Sequence, residues 1–275
     1  MRNKHITGFI LFVIFLAGLT AHAEEYGKFK PGIISFENEV DIVSWNSQQG
    51  QQRLLRSKYK NDYFQLAHHF QPQANPLYCG IASSVIVLNA LRLKKNSVPS
   101  QSLIEVDKPH SLGGGRLAYP SYSQLTFLNE KTDVIKSRNL IEMKDLKSSK
   151  EELDPGLKLS QLKKILEVYN SKVEMFYADN EGEPAVDKFR KHLKLILKED
   201  KKFLLVNFYG KTMGTQAEGH ISPVAAYESK TDSVLLLDVA GYLNPWYWVP
   251  VEHLYLAMNT MDGETYRGYL IVSDR

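Results

Sequence analysis

The chain is long enough for one large domain or two small ones, and its composition excludes several classes of protein. With 275 residues, 43% of them hydrophobic and 11% aromatic, it has the material for a packed core and is not a disordered protein. A formal charge of +3 gives no electrostatic reason to bind nucleic acid or an anionic membrane surface, and one cysteine cannot form an internal disulfide.

The first 23 residues are typical of a secretory signal peptide. Arg2 and Lys4 precede an apolar run over residues 9–19, and the segment ends in a small-x-small pattern at 21–23. The run is shorter than the ~20 apolar residues of a membrane span, although an uncleaved anchor is the alternative. We therefore expect a signal peptide over 1–23, a single domain over 24–275, and a bacterial protein that is exported to the periplasm or secreted. No membrane contact is expected after cleavage, which lowers the formal charge from +3 to +1.

The pattern over residues 24–60 is mixed. Short strands are expected at 34–36 and 41–43, and residues 48–52 form a polar stretch. A short helix is expected over 63–70, and the apolar run 81–93 predicts a buried helix that ends before Asn96 and Pro99. Residues 99–122, including the glycines 113–115, predict a loop. No Lys-Ser or Lys-Thr pair follows these glycines, so they do not indicate a phosphate-binding loop.

Strand patterns dominate the second half of the chain. Helices are expected at 159–169 and 186–197, and strands at 172–178 and 202–209. A hairpin is expected from strands 221–227 and 234–240 joined by a turn at 229–232, with further strands at 247–249 and 266–272. Helices first and antiparallel strands later predict an α+β domain in two lobes.

Cys79 stands where a polar loop turns into the apolar helix. The positive end of a helix dipole favours the thiolate form of a cysteine, so Cys79 is a candidate nucleophile. The alternative is a buried structural cysteine that behaves as a small hydrophobic residue.

A cysteine nucleophile needs a base and a group that orients the base. Among the eight histidines His220 differs, because it follows Gly219 at the start of an apolar strand. Asp238 ends the apolar run 234–237, where a buried carboxylate needs a partner. In the hairpin both side chains could lie on one face, and Asp238 could then orient His220 as the base for Cys79. The alternatives are a histidine bonded to the backbone and an aspartate that caps the next turn.

Gln73 precedes Cys79 by six residues. Its side-chain amide and the Cys79 backbone N–H could form an oxyanion hole, and the alternative is a solvated loop glutamine. The order Cys, His, Asp is that of a papain-type arrangement. No metal site is expected, because the adjacent His68 and His69 would project in different directions from a helix.

Seven motifs together resemble the phytochelatin synthase family. They are Gln73-x5-Cys79-Gly80, Val87-Leu88-Asn89-Ala90-Leu91, Gly219-His220-Ile221-Ser222-Pro223-Val224, Leu236-Leu237-Asp238-Val239-Ala240, Trp248-Val249-Pro250, Leu256-Ala257-Met258-Asn259-Thr260-Met261 and Arg267-Gly268-Tyr269. The resemblance covers about residues 60–272 in a consistent order. It implies a papain-like two-lobed fold, in which a helical lobe carries Cys79 and an antiparallel sheet lobe carries His220 and Asp238.

The resemblance also implies an activity, a cysteine transpeptidase that acts on glutathione in metal detoxification. Cys79 would attack the Cys–Gly amide, glycine would leave, and a γ-glutamylcysteinyl thioester would remain. Transfer to a second glutathione gives phytochelatin, and transfer to water gives hydrolysis. His220 would be base and then acid, Asp238 would hold its tautomer, and Gln73 would stabilise the oxyanion. Tyr78 and Gly219 are expected to contact the substrate.

Further expectations follow from the same resemblance. The chain ends at Arg275 without the cysteine-rich region of the plant members, so it is similar to the short prokaryotic members, in which hydrolysis tends to dominate. No tightly bound cofactor is implied. A heavy-metal ion, cadmium or zinc, would enter as a thiolate of the substrate or as an activator, and the short members suggest a homodimer.

Three positions depart from the family pattern. Gly210 and Gly241 replace arginines, and Leu243 replaces a basic residue. Arginine forks suit peptide carboxylates, and glycine cannot supply that interaction; Lys211 and Arg116 are the candidate replacements. Two alternatives to a glutathione enzyme therefore stay open: the same chemistry on another peptide or amide, and a non-catalytic binding protein on this scaffold.

Overall fold

A seven-stranded antiparallel sheet organises the part of the chain that the structure, a computed structural model, describes: residues 40–92, 103–105, 118–141, 156–180 and 182–275. The strands are β1 (Val43–Ser44), β2 (Leu103–Glu105), β3 (Ala118–Pro120), β4 (Ser171–Tyr177), β5 (Lys202–Tyr209), β6 (Gly219–Glu228), β7 (Ser233–Leu236), β8 (Tyr247–Pro250), β9 (Met261–Asp262), β10 (Thr265–Tyr266) and β11 (Gly268–Asp274). The order in the main sheet is β1-β8-β7-β6-β5-β11-β4, and β2-β3 and β9-β10 form two small ribbons.

Helices cover both faces of the main sheet. They are α1 (Gln48–Arg56), α2 (Asn61–His68), α3 (Cys79–Arg92), α4 (Gln124–Phe127), α5 (Arg138–Ile141), α6 (Leu159–Val168), α7 (Glu183–Ile196) and α8 (Val251–Met258). One hydrophobic core lies between the sheet and α3 and α6, and the other lies between the sheet and α7 and α8. Mixed helices and an antiparallel sheet confirm the α+β class. None of the helices in the described ranges has the length and apolar character needed to cross a membrane.

The continuous apolar run of β5 follows from this layering. Phe203 and Leu205 belong to the core under α3 and α6, whereas Leu204, Val206 and Phe208 belong to the core under α7 and α8. A strand that is buried on both faces has no solvent-facing positions, so its sequence is hydrophobic without alternation, here over residues 203–206. The predicted bounds, 202–209, are those observed.

Helix α3 is buried on all sides, as its composition predicts. Every residue from Cys79 to Ala90 is buried. Asn89 is satisfied in this apolar setting because it pairs with the backbone of Tyr122: its Nδ2 donates to the carbonyl oxygen at 3.1 Å and its Oδ1 accepts from the amide at 2.7 Å. The helix begins at Cys79, two residues before the predicted start.

Strand β6 contains a bulge next to the site described below. The register shifts between Val224 and Ala226, so that Ala225 and Ala226 both face the core under α3. The observed hairpin differs from the predicted one, since β6 begins at Gly219 and β7 ends at Leu236.

The polar stretch 48–52 is the start of helix α1, which the sequence did not predict. Ser47 caps it by accepting from the Gly50 amide at 3.0 Å. The Trp248 indole donates to the Gly50 carbonyl at 3.1 Å, and the buried Arg53 pairs with Asp41 at 3.0 Å. Tertiary contacts with polar groups therefore hold a helix that has no apolar stripe.

The other predicted helices and strands agree with the observed ones to within a few residues. The predicted loop 99–122 is wrong in part, because β2 and β3 pair with each other as a ribbon within it. Helices α4, α5 and α8 and the ribbon β9-β10 had no predicted counterpart. The predicted strand 41–43 is shorter and later, at Val43–Ser44. Several predictions fall outside the described residues: the signal peptide over 1–23, the strand at 34–36, the end of the helix before Asn96 and Pro99, and the loop glycines 113–115.

Candidate active site

Cys79 is the first residue of α3. The amide groups of a first helical turn have no acceptor within the helix, so the Cys79 N–H points out of the helix end together with its dipole. The side chain is buried, with 9% of its residue surface exposed, and it lines a narrow cleft with His220 and Gly219. The thiol therefore has one open direction, toward the cleft.

Helix α3 is fixed against β6 immediately beside the histidine. Ser83 Oγ donates to the carbonyl oxygen of Ile221 at 2.9 Å. A Cβ atom on Gly80 would lie 3.3 Å from the Ile221 side chain, so glycine permits this close approach. One hydrogen bond and one close contact thus set the distance between the helix that carries Cys79 and the strand that carries His220.

The structure brings His220 and Asp238 together. His220 Nε2 lies 2.8 Å from Asp238 Oδ1, and both residues are buried. The ring also packs edge-on against Phe208, with 5.6 Å between centroids. Because Nε2 faces Asp238, the other ring nitrogen, Nδ1, is the one available to Cys79, which lines the same cleft.

The pKa of His220 reflects these neighbours. Burial of the ring acts to lower the pKa, but the charge of Asp238, the hydrogen bond to it and the interactions with Cys79 outweigh burial, and they raise the pKa from 6.5 to about 10. At neutral pH the imidazolium is therefore the favoured form of His220. A positively charged ring in the same cleft is the kind of neighbour that activates a sulfur nucleophile.

Asp238 is held by a residue that the sequence did not single out. Its Oδ1 also accepts from the Ala240 amide at 2.8 Å, and its Oδ2 accepts from Asn244 Nδ2 at 3.2 Å. Asn244 is buried, so its amide is oriented by this contact. An asparagine six residues beyond the aspartate is the only sequence signal for it, and that signal is weak.

Gln73 is buried next to the cleft. Its backbone amide donates to the Val239 carbonyl at 2.8 Å, which ties its loop to the segment after Asp238. Its side-chain Nε2 donates to Pro76 O at 3.0 Å and to the Tyr242 hydroxyl at 2.8 Å. The glutamine is thus an ordered part of the site rather than a solvated loop residue, and Tyr242 is a neighbour that the sequence analysis missed.

Charged and polar side chains form the far wall of the cleft. Lys158, Asn207 and Asp262 line it with Cys79 and His220. Asn207 Nδ2 donates to Asp262 Oδ2 at 3.0 Å, and the Arg267 guanidinium lies 3.6 Å from Asp262 Oδ1. The cleft therefore presents a carboxylate and an ammonium group close to the sulfur.

The two residues expected to contact substrate differ in position. Gly219 lines the cleft, and a Cβ atom there would lie 3.1 Å from Arg267 Nη2. Tyr78 is buried in the core under α3. Within the described ranges no three His, Cys, Asp or Glu side chains are grouped so that they could hold a metal ion.

The two glycines that the resemblance places at arginine positions, Gly210 and Gly241, differ in their surroundings. A Cβ atom on Gly210 would lie 2.2 Å from Thr215 Oγ1 and 2.5 Å from the Ala217 carbonyl oxygen, so this backbone excludes any side chain. A Cβ atom on Gly241 would meet nothing within 4 Å. Lys211, a candidate replacement, is exposed and pairs with Glu218, and Arg116 lies outside the described residues.

This α+β protein belongs to the class of proteins with a Cys–His–Asp site. Its cysteine begins a helix, its histidine lies on a strand, and its aspartate follows the next strand. A sequence model of phytochelatin synthase matches residues 37–105 and 119–269, and the chain belongs to the phytochelatin synthase family.

Curated relatives agree with this assignment. Glutathione gamma-glutamylcysteinyltransferase 1 of Lotus japonicus is 27% identical over 236 residues, which are 84% of this chain and 40% of the relative. The corresponding protein 2 of Arabidopsis thaliana is 25% identical over 85% of this chain and 44% of its own length. The Schizosaccharomyces pombe protein is 23% identical over 94% of this chain and 58% of its own length. The chain thus spans about half the length of these relatives, or less.

Proposed function

We propose that this chain is a cysteine-dependent acyltransferase and hydrolase that cleaves the Cys–Gly amide of glutathione. The observation that carries the proposal is that Cys79 and His220 line one cleft while Asp238 bonds to the His220 ring from behind. The names of the relatives, which are glutathione gamma-glutamylcysteinyltransferases, support glutathione as the substrate. Family membership also supports a papain-like two-lobed fold, with Cys79 in the helical lobe and His220 in the sheet lobe.

In the acylation step, the Cys79 thiolate adds to the carbonyl carbon of the Cys–Gly amide and a carbon–sulfur bond forms. The electron pair of the C=O bond moves to oxygen. When the tetrahedral intermediate collapses, the C–N bond breaks and the His220 imidazolium gives its proton to the departing glycine nitrogen. Glycine leaves, and a γ-glutamylcysteinyl thioester remains on the sulfur.

In the deacylation step, His220 is neutral and can act as a base. It takes a proton from water or from the amino group of a second glutathione as that nucleophile adds to the thioester carbon. The carbon–sulfur bond then breaks and the thiolate returns beside the imidazolium. Water yields γ-glutamylcysteine, and glutathione yields phytochelatin. Asp238 keeps Nε2 as the donor through both steps, because its Oδ1 accepts from that atom.

The charges of the cleft fit the γ-glutamyl end of the substrate. That end carries one carboxylate and one ammonium group, and the cleft presents Lys158 and Asp262. Asp262 already accepts from Asn207 and lies 3.6 Å from Arg267, so a substrate ammonium group would join this set of donors.

A second candidate is the same acyl transfer on another peptide or amide. Gly210 favours it, because the backbone around this residue leaves no space for the family's arginine and hence for one of its cations. Both candidates use Cys79 as the nucleophile, and they differ in the substrate and therefore in the amine that leaves.

Mass spectrometry of the protein incubated with glutathione tests the proposal. We expect one γ-glutamylcysteinyl adduct on Cys79 and release of free glycine. The matched control is Cys79→Ala, which keeps the buried helix start and removes the sulfur; circular dichroism should show an unchanged fold, with neither adduct nor glycine. A folded wild-type protein that yields no adduct and no glycine would exclude glutathione. An adduct from another peptide would then establish the second candidate.

A further inference from the structure

Lys158 stands beside the helix that carries the nucleophile. The preceding residue, Leu157, packs against the start of α3, since a Cβ atom on Gly80 would lie 3.4 Å from Leu157 Cδ1. Lys158 itself immediately precedes α6, and its backbone amide donates to Gln161 Oε1 at 3.0 Å. Its side chain is half-buried and lines the cleft together with Cys79. These contacts fix the backbone from which the lysine side chain extends.

The Lys158 ammonium group lies against the turn between β9 and β10. A Cβ atom on Gly263 would lie 2.9 Å from Lys158 Nζ and 3.4 Å from Lys158 Cε, so a side chain at this position would take the place of the ammonium group. Gly263 has a φ of 72°, in the left-handed region that favours glycine. Asp262, the residue before it, lines the cleft. The turn therefore brings an ammonium group and a carboxylate to the same end of the cleft.

Two other cations lie close to this part of the chain, and both are held by neighbouring groups. Arg267 Nη1 donates to Thr260 Oγ1 at 3.1 Å, and Arg267 Nη2 lies 3.6 Å from Asp262 Oδ1. Lys211, one of the two replacements considered for the missing arginines, is exposed and held in an ion pair outside the cleft. Among the lysines and arginines of the described ranges, the one that lines the cleft is Lys158.

The two ends of glutathione differ in the charges that they carry. The γ-glutamyl end has a carboxylate and an ammonium group on one carbon atom, whereas the glycine end has a carboxylate alone. An ammonium group and a carboxylate at one end of the cleft therefore match the γ-glutamyl end, with Lys158 for its carboxylate and Asp262 for its ammonium group. An α-linked glutamyl peptide has the same formal charges, but it joins the ammonium-bearing carbon directly to the amide.

We propose that Lys158 is a specificity-determining residue whose ammonium group binds the α-carboxylate of a γ-glutamyl group, and that glycine at position 263 leaves the space that this ammonium group needs. The inference rests on the proposed function. The α-carboxylate is remote from the reacting carbonyl carbon, so the contact is the same in the ground state and in the transition state. Loss of such a contact raises KM and leaves kcat nearly unchanged.

Lys158→Met, which keeps the length of the side chain and removes its charge, tests the assignment. For glutathione we expect kcat/KM of glycine release to fall by about 10- to 100-fold, the effect of losing one hydrogen bond to a charged group, with most of the change in KM. The analogue 4-aminobutanoyl-Cys-Gly lacks only the α-carboxylate. The wild type should turn it over more slowly than glutathione by a similar factor, and Lys158→Met should cause no further loss.

Two outcomes of these kinetics contradict the assignment. An equal fall in kcat/KM with both substrates would overturn the proposal, because Lys158 would then act without the α-carboxylate. Glutathione that is amidated at its glycine carboxylate gives the other comparison. If the effect of Lys158→Met disappears with this amide, the lysine binds the leaving glycine rather than the γ-glutamyl group, which also overturns the proposal.

Alkylation of Cys79 gives a readout that needs no turnover of glutathione. Iodoacetate and iodoacetamide are similar in size, and a cation in the cleft favours the anionic reagent. The ratio of the iodoacetate to the iodoacetamide rate constant should fall by about 3- to 10-fold in Lys158→Met. The iodoacetamide rate constant alone should stay unchanged, which also shows that the site is folded. Lys164→Met, at an exposed position of α6, is the matched control and should change neither rate constant.

The two readouts separate this inference from the function on which it rests. A wild-type protein that releases no glycine from glutathione would refute the proposed function. The alkylation ratio still decides whether Lys158 acts on a carboxylate in this cleft, and a ratio that is equal in the wild type and in Lys158→Met would overturn the role given to the lysine.

Discussion

Asp238→Asn is expected to lower kcat for glycine release by about 10³- to 10⁴-fold, as loss of the orienting carboxylate does in other nucleophile–histidine–aspartate sites. Asp238 Oδ1 accepts from both His220 Nε2 and the Ala240 amide, and its charge is a main cause of the raised pKa of His220. A neutral amide cannot stabilise the imidazolium. Steady-state glycine release by the purified variant measures the loss.

The pH dependence of the same variant gives a second readout. In the wild type the pKa of His220 is raised to about 10, so the alkaline limb of kcat/KM should lie near that pH. In Asp238→Asn, burial still lowers the pKa of His220 while the opposing charge is gone, and the alkaline limb should move to lower pH. An alkaline limb at the wild-type position would contradict the assigned role of Asp238.

The raised pKa of His220 also links folding to pH. Since the pKa in the folded state lies above the unfolded value of 6.5, the charged ring stabilises the fold fully below pH 6.5, and this contribution is lost as the pH rises toward about 10. Urea unfolding at several pH values should show this loss in the wild type and less of it in the variant. Asn244 makes the substitution tolerable, because its amide can turn to offer oxygen to the new side-chain amide.

Gly210→Arg and Gly241→Arg form a matched pair with opposite expected results. At Gly210 the new Cβ atom would collide with a backbone carbonyl, so we expect the free energy of unfolding to fall by about 3 kcal/mol. At Gly241 the Cβ atom meets open space, so stability should change by no more than about 0.5 kcal/mol. Gly241→Arg should in addition lower KM for glutathione, because a guanidinium fork suits the substrate carboxylates. Urea unfolding and steady-state kinetics measure the two effects.

Controls make the pair interpretable. Gly210→Ala introduces the Cβ atom alone, and it should already destabilise the fold; equal stability of Gly210→Arg and the wild type would show that the turn relaxes. Gly241→Lys adds charge without the planar fork. If lysine and arginine lower KM equally, charge alone is responsible, and if neither does so, this position does not reach the substrate.

An element could be predicted where the reason for its structure lies in its own sequence, and not where the reason lies in contacts with distant residues. Helix α3 and strand β5 could be predicted because burial on all sides leaves a mostly apolar segment with few polar residues. Helix α1 could not, because its stabilising partners are a capping serine and side chains from β8 and the segment before β1. A helix held by polar contacts lacks the periodic spacing of hydrophobic residues from which helices are predicted.

The site divides in the same way. Cys79, His220 and Asp238 each stand at the end of an apolar segment, which makes a polar or reactive side chain conspicuous in sequence. Tyr242 and Asn244 lie in a loop without periodicity, and their importance comes from contacts formed only in the folded chain. Gly210 is the opposite case, because it could be singled out in the sequence but not explained. Only the atoms around its missing Cβ show that no side chain fits there.

The placement of Cys79 has a consequence for the lifetime of the protein under oxidising conditions. A thiolate held beside an imidazolium is the form that peroxide converts to a sulfenic acid. No second cysteine occurs among the 275 residues, so the chain itself offers no thiol to condense with that sulfenic acid. A thiol that reduces this sulfenic acid must therefore come from another molecule, and glutathione, the proposed substrate, carries such a thiol.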